Sequence, residues 1–355
     1  MTDTFSPIPE LNLLKEFYDT QDDYLAPGFE MYDYGAEYDQ DPPELAERLV
    51  YFAQANGSGS LYGFWRRDDR EDVATQPVVA VGDEGGIHLV ARDFREFLRL
   101  LASLPPDCEP DIDWNGFGVR ALFDPEDDDY EPLDNKPFLT WLDRTCGITP
   151  ADEWETVVDD AEAKLGREWG AWIHPIVPDA VWSPVHELNL LNRLNGATFG
   201  ALANGFWLVE EYGEGTLAIE QNGERKRLGF PVLAADLEPF ATNDSDTFFA
   251  LWRLDGRADP ASLPVVAVGK EADAHVVARD VPEFLTLVAG LTDTEIRCDG
   301  DGVGLRVCEL ADKRAEFLSW LEETCGLRPA ADPAAVIETA QAELGERLVL
   351  ALARD

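Results

Sequence analysis

The feature that most constrains the fold of this chain is an internal repeat. Residues 77–104 and residues 264–291 align without gaps, and 18 of the 28 aligned positions are identical. The similarity extends outward to two further pairs of segments, 6–14 with 183–191 and 138–147 with 317–326. Self-similarity of this kind predicts that one structural unit occurs twice in the chain.

The repeat predicts two domains that arose by duplication, residues 1–175 and residues 176–355. Pro175 and Pro178 lie between the repeats, where they interrupt any helix or strand. A chain of 355 residues is long enough for two domains, each with its own core.

Each half predicts an α+β domain, an antiparallel sheet covered on one face by helices. In the first half, residues 78–81 and 87–91 are typical of two strands joined by a turn, and Asp93 with Glu96 forms a capping box for the next helix. Asp280 and Glu283 repeat this box. Strands that meet at turns, with helices before and after them, favour the α+β class. Further predicted helices span residues 9–18, 136–146, 150–169, 312–325 and 333–352.

Two regions break the symmetry of the halves. Residues 192–233 make the second half longer and are hairpin-like, with Asn222 and Gly223 at a predicted turn. Residues 124–135 form an acidic loop of the first half without a counterpart.

The charge of the chain limits its partners. The sequence has 71 acidic and 28 basic residues, a formal net charge of −43. Such a field repels phosphate backbones and anionic lipids, so neither nucleic acid nor a membrane is expected as a partner. It suits a basic protein, whose association it would accelerate. The alternative is an acidic solvation shell without a specific partner, as in salt-adapted proteins. Because no apolar run approaches the ~20 residues of a membrane span and no signal peptide is recognisable, we expect a cytoplasmic protein.

Four duplicated residues are the candidates for a ligand or cleft site. His88 and His275 each precede an Ala-Arg-Asp sequence and are candidate general bases, although no nucleophile motif accompanies them. Strand alternation alternatively points them towards solvent. Arg92 and Arg279 either bind an anion near a helix start or pair with neighbouring carboxylates.

Asp111, Asp113, Asn115 and Gly116 match the opening of a calcium loop. The twelfth position is Leu122, where that motif requires a bidentate glutamate. A hairpin turn explains these residues better. The chain also has no phosphate-binding loop, dinucleotide fingerprint or zinc motif, so we expect no metal, no cofactor and no catalytic activity.

The best candidate for an interaction surface is the segment 18–40, in which six aromatic residues lie among acidic ones. Tyrosine offers a large, stiff contact area, and carboxylates beside aromatic faces suit Arg and Lys. The alternative is a surface loop whose rings pack on its own domain. The predicted partner-binding residues are Tyr24, Tyr32, Asp33 and Tyr34, then Asp127, Asp128 and Asp129 of the unpaired loop.

A family resemblance rests on the conserved part of the repeat. The first copy contains a glycine turn at 56–59, a strand at 61–65, the strand Pro77-Val-Val-Ala-Val81 and the helix 94–101 with Glu96-Phe97-Leu98. Residues 248–252 and 264–291 repeat this pattern. It resembles the SUKH superfamily, which includes many bacterial immunity proteins. The resemblance implies an α+β sandwich that binds proteins, often to neutralise a toxin such as a nuclease, and it supplies no catalytic residues.

The leading hypothesis is therefore a non-catalytic tandem protein, a monomer with an internal pseudo-twofold. It would bind a basic protein and act as an immunity-type inhibitor by occlusion. Two alternatives stay open: a small-ligand binder or enzyme that uses a cleft between the halves, with His88 and His275 as its residues, and a scaffold protein.

Overall fold

The structure is a computed structural model of the chain. It describes residues 4–21, 24–36, 41–69, 72–114, 116–122, 133–204 except 198–201, 206–213, 218–221, 224–227, 233, 235–243, 245, 247–257, 259–269, 273–299, 302–308 and 313–353.

The chain divides into two compact units, Met1–Pro184 and Val185–Asp355. The boundary expected from the sequence, between residues 175 and 176, precedes this division. Ile176, Val177 and Ala180 still pack into the core of the first unit, against the strand that contains Trp65.

The first unit is built around a five-stranded antiparallel sheet, in which neighbouring strands follow one another along the chain, from β1 to β5. A separate two-stranded hairpin, β6 with β7, follows the sheet. The elements in chain order are α1 (Pro9–Tyr18), β1 (Glu30–Met31), α2 (Pro43–Ala46), β2 (Leu49–Gln54), β3 (Leu61–Trp65), β4 (Val78–Val81), β5 (Ile87–Ala91), α3 (Phe94–Ser103), β6 (Cys108–Asp113), β7 (Gly116–Ala121), α4 (Lys136–Cys146) and α5 (Glu155–Ile173).

The second unit has the same order of sheet strands, with β8 at one edge and β14 at the other. The pairing register shifts at matching places in the two units. The ladders of β2 with β3 and of β11 with β12 shift after the third residue pair. Those of β4 with β5 and of β13 with β14 shift after the first pair. The elements are α6 (His186–Ala197), β8 (Trp207–Leu208), β9 (Ala218–Gln221), β10 (Glu224–Arg227), β11 (Leu237–Thr242), β12 (Phe248–Trp252), β13 (Val265–Val268), β14 (Ala274–Ala278), α7 (Val281–Gly290), β15 (Thr294–Asp299), β16 (Gly302–Val307), α8 (Arg314–Cys325) and α9 (Pro333–Leu352).

The α+β class is confirmed, but the expectation that helices cover only one face of the sheet is wrong. Phe64 on β3 packs with the phenylalanines of α3 on one face, while Trp65 on the same strand packs against Trp169 of α5 on the other. All five residues of β3 are buried. A strand buried on both faces has no polar side to alternate with its apolar one. In the second unit, Phe249 packs on Phe284 of α7, whereas Trp252 packs with Leu348 of α9.

The predicted helix caps are present at α3 and α7. The Asp93 carboxylate accepts a hydrogen bond from Glu96 N at 2.9 Å, and Asp280 accepts one from Glu283 N at 2.7 Å. Such bonds satisfy backbone donors that the first helical turn leaves open. None of the described helices combines the length and the apolar character that a membrane span requires.

The asymmetric region of the second unit holds two different elements. Residues 218–221 pair antiparallel with residues 224–227, as β9 with β10, and the predicted turn residues Asn222 and Gly223 lie outside the described residues. Trp207 and Leu208 do not join these strands. They pair with β11 as the edge strand β8, in the place that β1 takes beside β2 in the first unit.

Candidate interaction surface

One end of the first sheet is held together by the buried side chain of Asn56. This residue lies in the turn between β2 and β3 and is only 2% exposed. Its Oδ1 accepts hydrogen bonds from the backbone N–H groups of Gly59 and Ser60 at 3.1 and 3.0 Å. Its Nδ2 donates to Pro110 O on β6 at 3.0 Å. One amide therefore shapes the turn and also fixes the β6–β7 hairpin to it.

Asn243 makes the same arrangement in the second unit. Its Oδ1 accepts from the N–H groups of Ser245 and Thr247, both at 3.0 Å, and its Nδ2 donates to Ile296 O on β15 at 2.5 Å. In both units, therefore, an asparagine in the corresponding turn of the sheet fixes the hairpin to the sheet.

A buried carboxylate strengthens the docking in the first unit. Glu109 on β6 accepts a hydrogen bond from Gly57 N at 2.9 Å through one oxygen. Its other oxygen accepts from Nε and Nη2 of Arg120 on β7, at 3.0 and 2.8 Å. These bonds to Glu109 raise the pKa of the Arg120 guanidinium above its usual range. Arg120 also lies 3.7 Å from Asp111, so its charge is shared between two carboxylates.

Asp83 carries an exposed negative charge at the same end of the sheet. Partial burial disfavours its ionised form. Hydrogen bonds from the hydroxyl groups of Ser60 (2.7 Å) and Ser58 (2.9 Å), together with the backbone N–H of Asp83 and the charge of Arg120, outweigh that effect. The pKa of Asp83 therefore lies below its ordinary value of 3.8. The group is a fixed anion at neutral pH.

Beside Asp83 lies an open pocket of about 310 Å³, which we call the Trp114 pocket. Trp114, at the tip of the β6–β7 hairpin, is 54% exposed. The pocket combines this indole with glycine backbone, an apolar pair of strand residues and two carboxylates. Its lining residues are Gly59, Leu61, Val81, Gly82, Asp83, Glu84, Gly85 and Trp114.

The structure separates the predicted aromatic segment into exposed and packed residues. Tyr24 and Tyr32 are 46% and 42% exposed, and Asp33 beside them is exposed. The Tyr24 hydroxyl donates to Glu30 at 3.1 Å. Tyr34 is half-buried, with its ring centroid 6.5 Å from that of Phe5, and burial raises the pKa of its hydroxyl. Tyr34 therefore offers less free surface than the other two tyrosines.

The other described aromatic residues of the segment belong to the core. Tyr18 packs edge-on against Phe29, and Phe29 is fully buried. Between Tyr24 and Phe29 the chain passes close to the turn between β2 and β3. A Cβ at Gly28 would meet the backbone of Asn56 in that turn and approach Glu109. The exposed tyrosine segment is thus joined to the docked hairpin that carries Trp114.

The two duplicated histidines lie in different surroundings. His88 is 5% exposed, and its Nε2 lies 2.6 Å from the carbonyl oxygen of Asp113, so this ring joins β5 to the hairpin. His275 is partly exposed, and its Nε2 lies 3.3 Å from Asp273. The expectation that strand alternation points these side chains to solvent is wrong for His88.

Arg92 and Arg279 pair with carboxylates on two helices each. Arg92 lies 2.9 Å from Glu96 on α3 and 3.9 Å from Asp160 on α5. Arg279 contacts Glu283 on α7 at 2.6 Å, and Glu343 on α9 lies 3.4 Å away. Of the two predicted roles, this geometry matches carboxylate pairing.

Of the calcium-like residues, Asp111, Asp113 and Gly116 belong to the β6–β7 hairpin, and Asn115 lies outside the described residues. Asp113 pairs with Gly116 at the end of the β6–β7 ladder and accepts a hydrogen bond from its N–H at 3.2 Å. In the described parts of the chain, no three His, Cys, Asp or Glu side chains are grouped so that they could hold a metal ion. Asp127, Asp128 and Asp129 lie outside the described residues.

Comparisons of the chain with protein-family models, with curated proteins and with solved structures found no match. The resemblance to the SUKH superfamily stays a prediction.

Sequence reasoning missed most of the residues that build this surface. The sequence pattern places Asn56 in a glycine turn and gives no sign of the roles of Glu109, Asp83 and Trp114. One signal was present, because Asn56 and Asn243 are separated by the same 187 positions as His88 and His275. The remaining hydrogen bonds join residues 23 to 54 positions apart, which no local pattern reveals.

Proposed function

We propose that the protein is a non-catalytic binding protein that captures a basic protein through its first unit. The observation that carries the proposal is that the exposed aromatic rings of the first unit lie beside exposed carboxylates. Asp33 directly follows the exposed ring of Tyr32, and Asp83 and Glu84 line the pocket beside the exposed ring of Trp114. Tyr24 is the third exposed ring, and its hydroxyl donates to Glu30. Stiff aromatic side chains are typical of residues that dominate protein interfaces.

The charge of the whole chain supports a basic partner. A net charge of −43 steers a cationic protein towards the surface and accelerates its association, while it repels nucleic acid. Because the exposed rings lie among carboxylates, Arg and Lys side chains of the partner would find both a flat surface and a counter-charge.

The activity that we propose is inhibition by occlusion, as in an immunity protein. The partner would be a basic toxin such as a nuclease, whose cationic substrate-binding surface the acidic surface would cover. In this proposal the protein acts in the cytoplasm, as a monomer, and performs no chemistry on its partner.

The proposal is tested by capture from the native host with the immobilised full chain. We expect one basic protein retained at one-to-one stoichiometry, and loss of its enzymatic activity when equimolar protein is added. The double variant Tyr24→Ser, Tyr32→Ser should retain much less of it. Trp207→Ser, which changes an exposed ring of the second unit, is the matched control and should retain it fully. A mixture of basic proteins, none near equal stoichiometry, would contradict the proposal.

A further inference from the structure

We propose that the Trp114 pocket is an arginine site, which takes the guanidinium group of one side chain of the basic partner. This inference rests on the proposed function and specifies the chemistry of one contact within it. It is argued from the walls of the pocket, its charge and its absence from the second repeat.

The pocket has an apolar wall from two strands and an aromatic wall from the hairpin. Leu61 on β3 and Val81 on β4 are direct cross-strand partners, so their side chains lie next to each other on one face of the sheet. The indole of Trp114 stands over Gly85, where any Cβ would overlap the ring. Gly85 has a φ of +115°, a backbone conformation that residues other than glycine rarely adopt. The backbone therefore accommodates the ring at a place where only glycine leaves room.

The charge of the pocket is negative. Asp83 and Glu84 are exposed residues of its lining, and the hydroxyl bonds to Asp83 keep that group ionised. The neighbouring cation, Arg120, is held by two hydrogen bonds to Glu109 and lies 3.7 Å from Asp111. Arg120 also acts on Asp83, whose pKa its charge lowers, but Glu109 and Asp111 are the carboxylates that it contacts.

These walls favour a guanidinium over other ligands. A guanidinium is planar, stacks on an indole and bonds carboxylates with two parallel donors, whereas an ammonium group is compact and more strongly hydrated. The methylene stem of an arginine would lie against Leu61 and Val81. An anionic ligand would meet two carboxylates, and a purely apolar one would offer them no counter-charge.

The second repeat lacks the residues that define this pocket. Lys270, Ala272 and Gly300 occupy the sequence positions that match Asp83, Gly85 and Trp114. The aromatic wall, the glycine and one of the carboxylates are all absent from that copy, although the adjoining strands are nearly identical in sequence. The site is therefore assigned to the first unit alone.

The test uses the full chain labelled with 5-fluorotryptophan and observed by fluorine NMR, with N-acetyl-arginine amide as the probe. The Trp114→Phe variant identifies the resonance of Trp114, and Trp207→Phe identifies that of an exposed indole outside the pocket. We expect the arginine probe to shift the Trp114 resonance in a saturable manner and to leave that of Trp207 in place. The uncharged isostere N-acetyl-citrulline amide should bind roughly tenfold more weakly, and Glu84→Gln should weaken the arginine probe several-fold.

Three results would overturn the arginine site: no shift at Trp114, equal affinity for arginine and citrulline, or tighter binding of N-acetyl-lysine amide. Because Trp114 is exposed, Trp114→Phe should keep the thermal transition of the wild type, which separates loss of the site from loss of the fold. If the chain forms the stoichiometric complex described above but fails these tests, only the arginine site is wrong. If it binds the arginine probe but captures no partner, the proposed function is wrong.

Discussion

Asn56 and Asn243 illustrate how much of each unit depends on one polar residue. Each is buried in the turn before the third sheet strand, and each bonds both its own turn and a hairpin more than fifty residues away. An asparagine satisfies these groups because its amide presents an acceptor on one side and two donors on the other. A buried amide without such partners would destabilise the fold.

We expect Asn56→Ala to lower the free energy of unfolding by about 3 kcal/mol, because it leaves buried N–H and C=O groups without partners. Chemical denaturation measures the loss, and hydrogen exchange should become faster in the β6–β7 hairpin. Ser58→Ala is the matched control in the same turn. Ser58 is an exposed residue. Its hydroxyl donates to Asn56 Oδ1 at 2.9 Å, but its removal leaves the bonds between Asn56 and the backbone in place, so stability should change by less than about 1 kcal/mol. Equal effects of the two substitutions would show that Asn56 has no special role.

Asp83 gives a prediction about acid stability. The pKa of Asp83 is lowered in the folded chain. Its ionised form therefore stabilises the fold at pH values above 3.8, the ordinary pKa of this group. This contribution is lost as the pH falls through the lower pKa of the folded state. Carboxyl NMR should give a pKa below 3.8 in the wild type, and a higher pKa in Ser58→Ala, which removes one hydroxyl donor. An unchanged pKa in this variant would contradict the assigned cause.

Gly85 gives a prediction about the position of Trp114. In Gly85→Ala the added methyl group would overlap the indole, so the ring should leave its place over the backbone. The Trp114 fluorine resonance should move, and the arginine probe should lose most of its affinity, although Trp114 itself is unchanged. Gly59→Ala is the comparison, because this pocket glycine has nearly the same φ, +114°, and so the same backbone strain on substitution, but a Cβ there would meet nothing within 4 Å. In Gly59→Ala the Trp114 fluorine resonance should stay close to its wild-type position.

At the scale of the elements, local sequence patterns predict the bounds of several helices. α1, α4 and α9 begin and end where periodicity, proline and capping residues predicted. The sequence predicts that α5 begins at Pro150, because residues 150–154 are the helix-compatible sequence Pro-Ala-Asp-Glu-Trp, whereas the helix begins five residues later, at Glu155. The second helical layer was missed because an apolar run such as Leu61–Trp65 does not tell how many of its faces are covered. The docking of the hairpin depends on contacts between distant residues, which patterns within a segment do not contain.

A further prediction concerns Cys325, the last residue of α8. Burial, with a smaller contribution from the charge of Glu187, raises the pKa of the Cys325 thiol to about 11. Only about one molecule in a thousand would carry the thiolate at pH 8. Alkylation of Cys325 in the folded chain, followed by mass spectrometry, should therefore be slow at pH 8 and still accelerating at pH 10. Glu187→Gln should make it faster at each pH, and a rate that is constant above pH 9 would contradict the assigned pKa.

At the scale of the whole molecule, two similar sheets differ in what they present. Both have five antiparallel strands in the same order, a docked hairpin and a helix on each face. Only the first carries a tryptophan, Trp114, at the hairpin tip, with Asp83 and Gly85 in the turn between β4 and β5. Descent of the units from one duplicated ancestor stays a prediction, and the account of binding does not require it. What it requires is that a basic protein docks where exposed rings and carboxylates meet.

Hydrogen exchange of the full chain, with and without the captured partner, tests this claim most directly. The account predicts slower exchange on binding in residues 24–35, 57–60 and 82–86 and at Trp114, with little change in the corresponding turns of the second unit. Protection confined to the second unit, or a stoichiometric complex in which none of these segments changes, would contradict it.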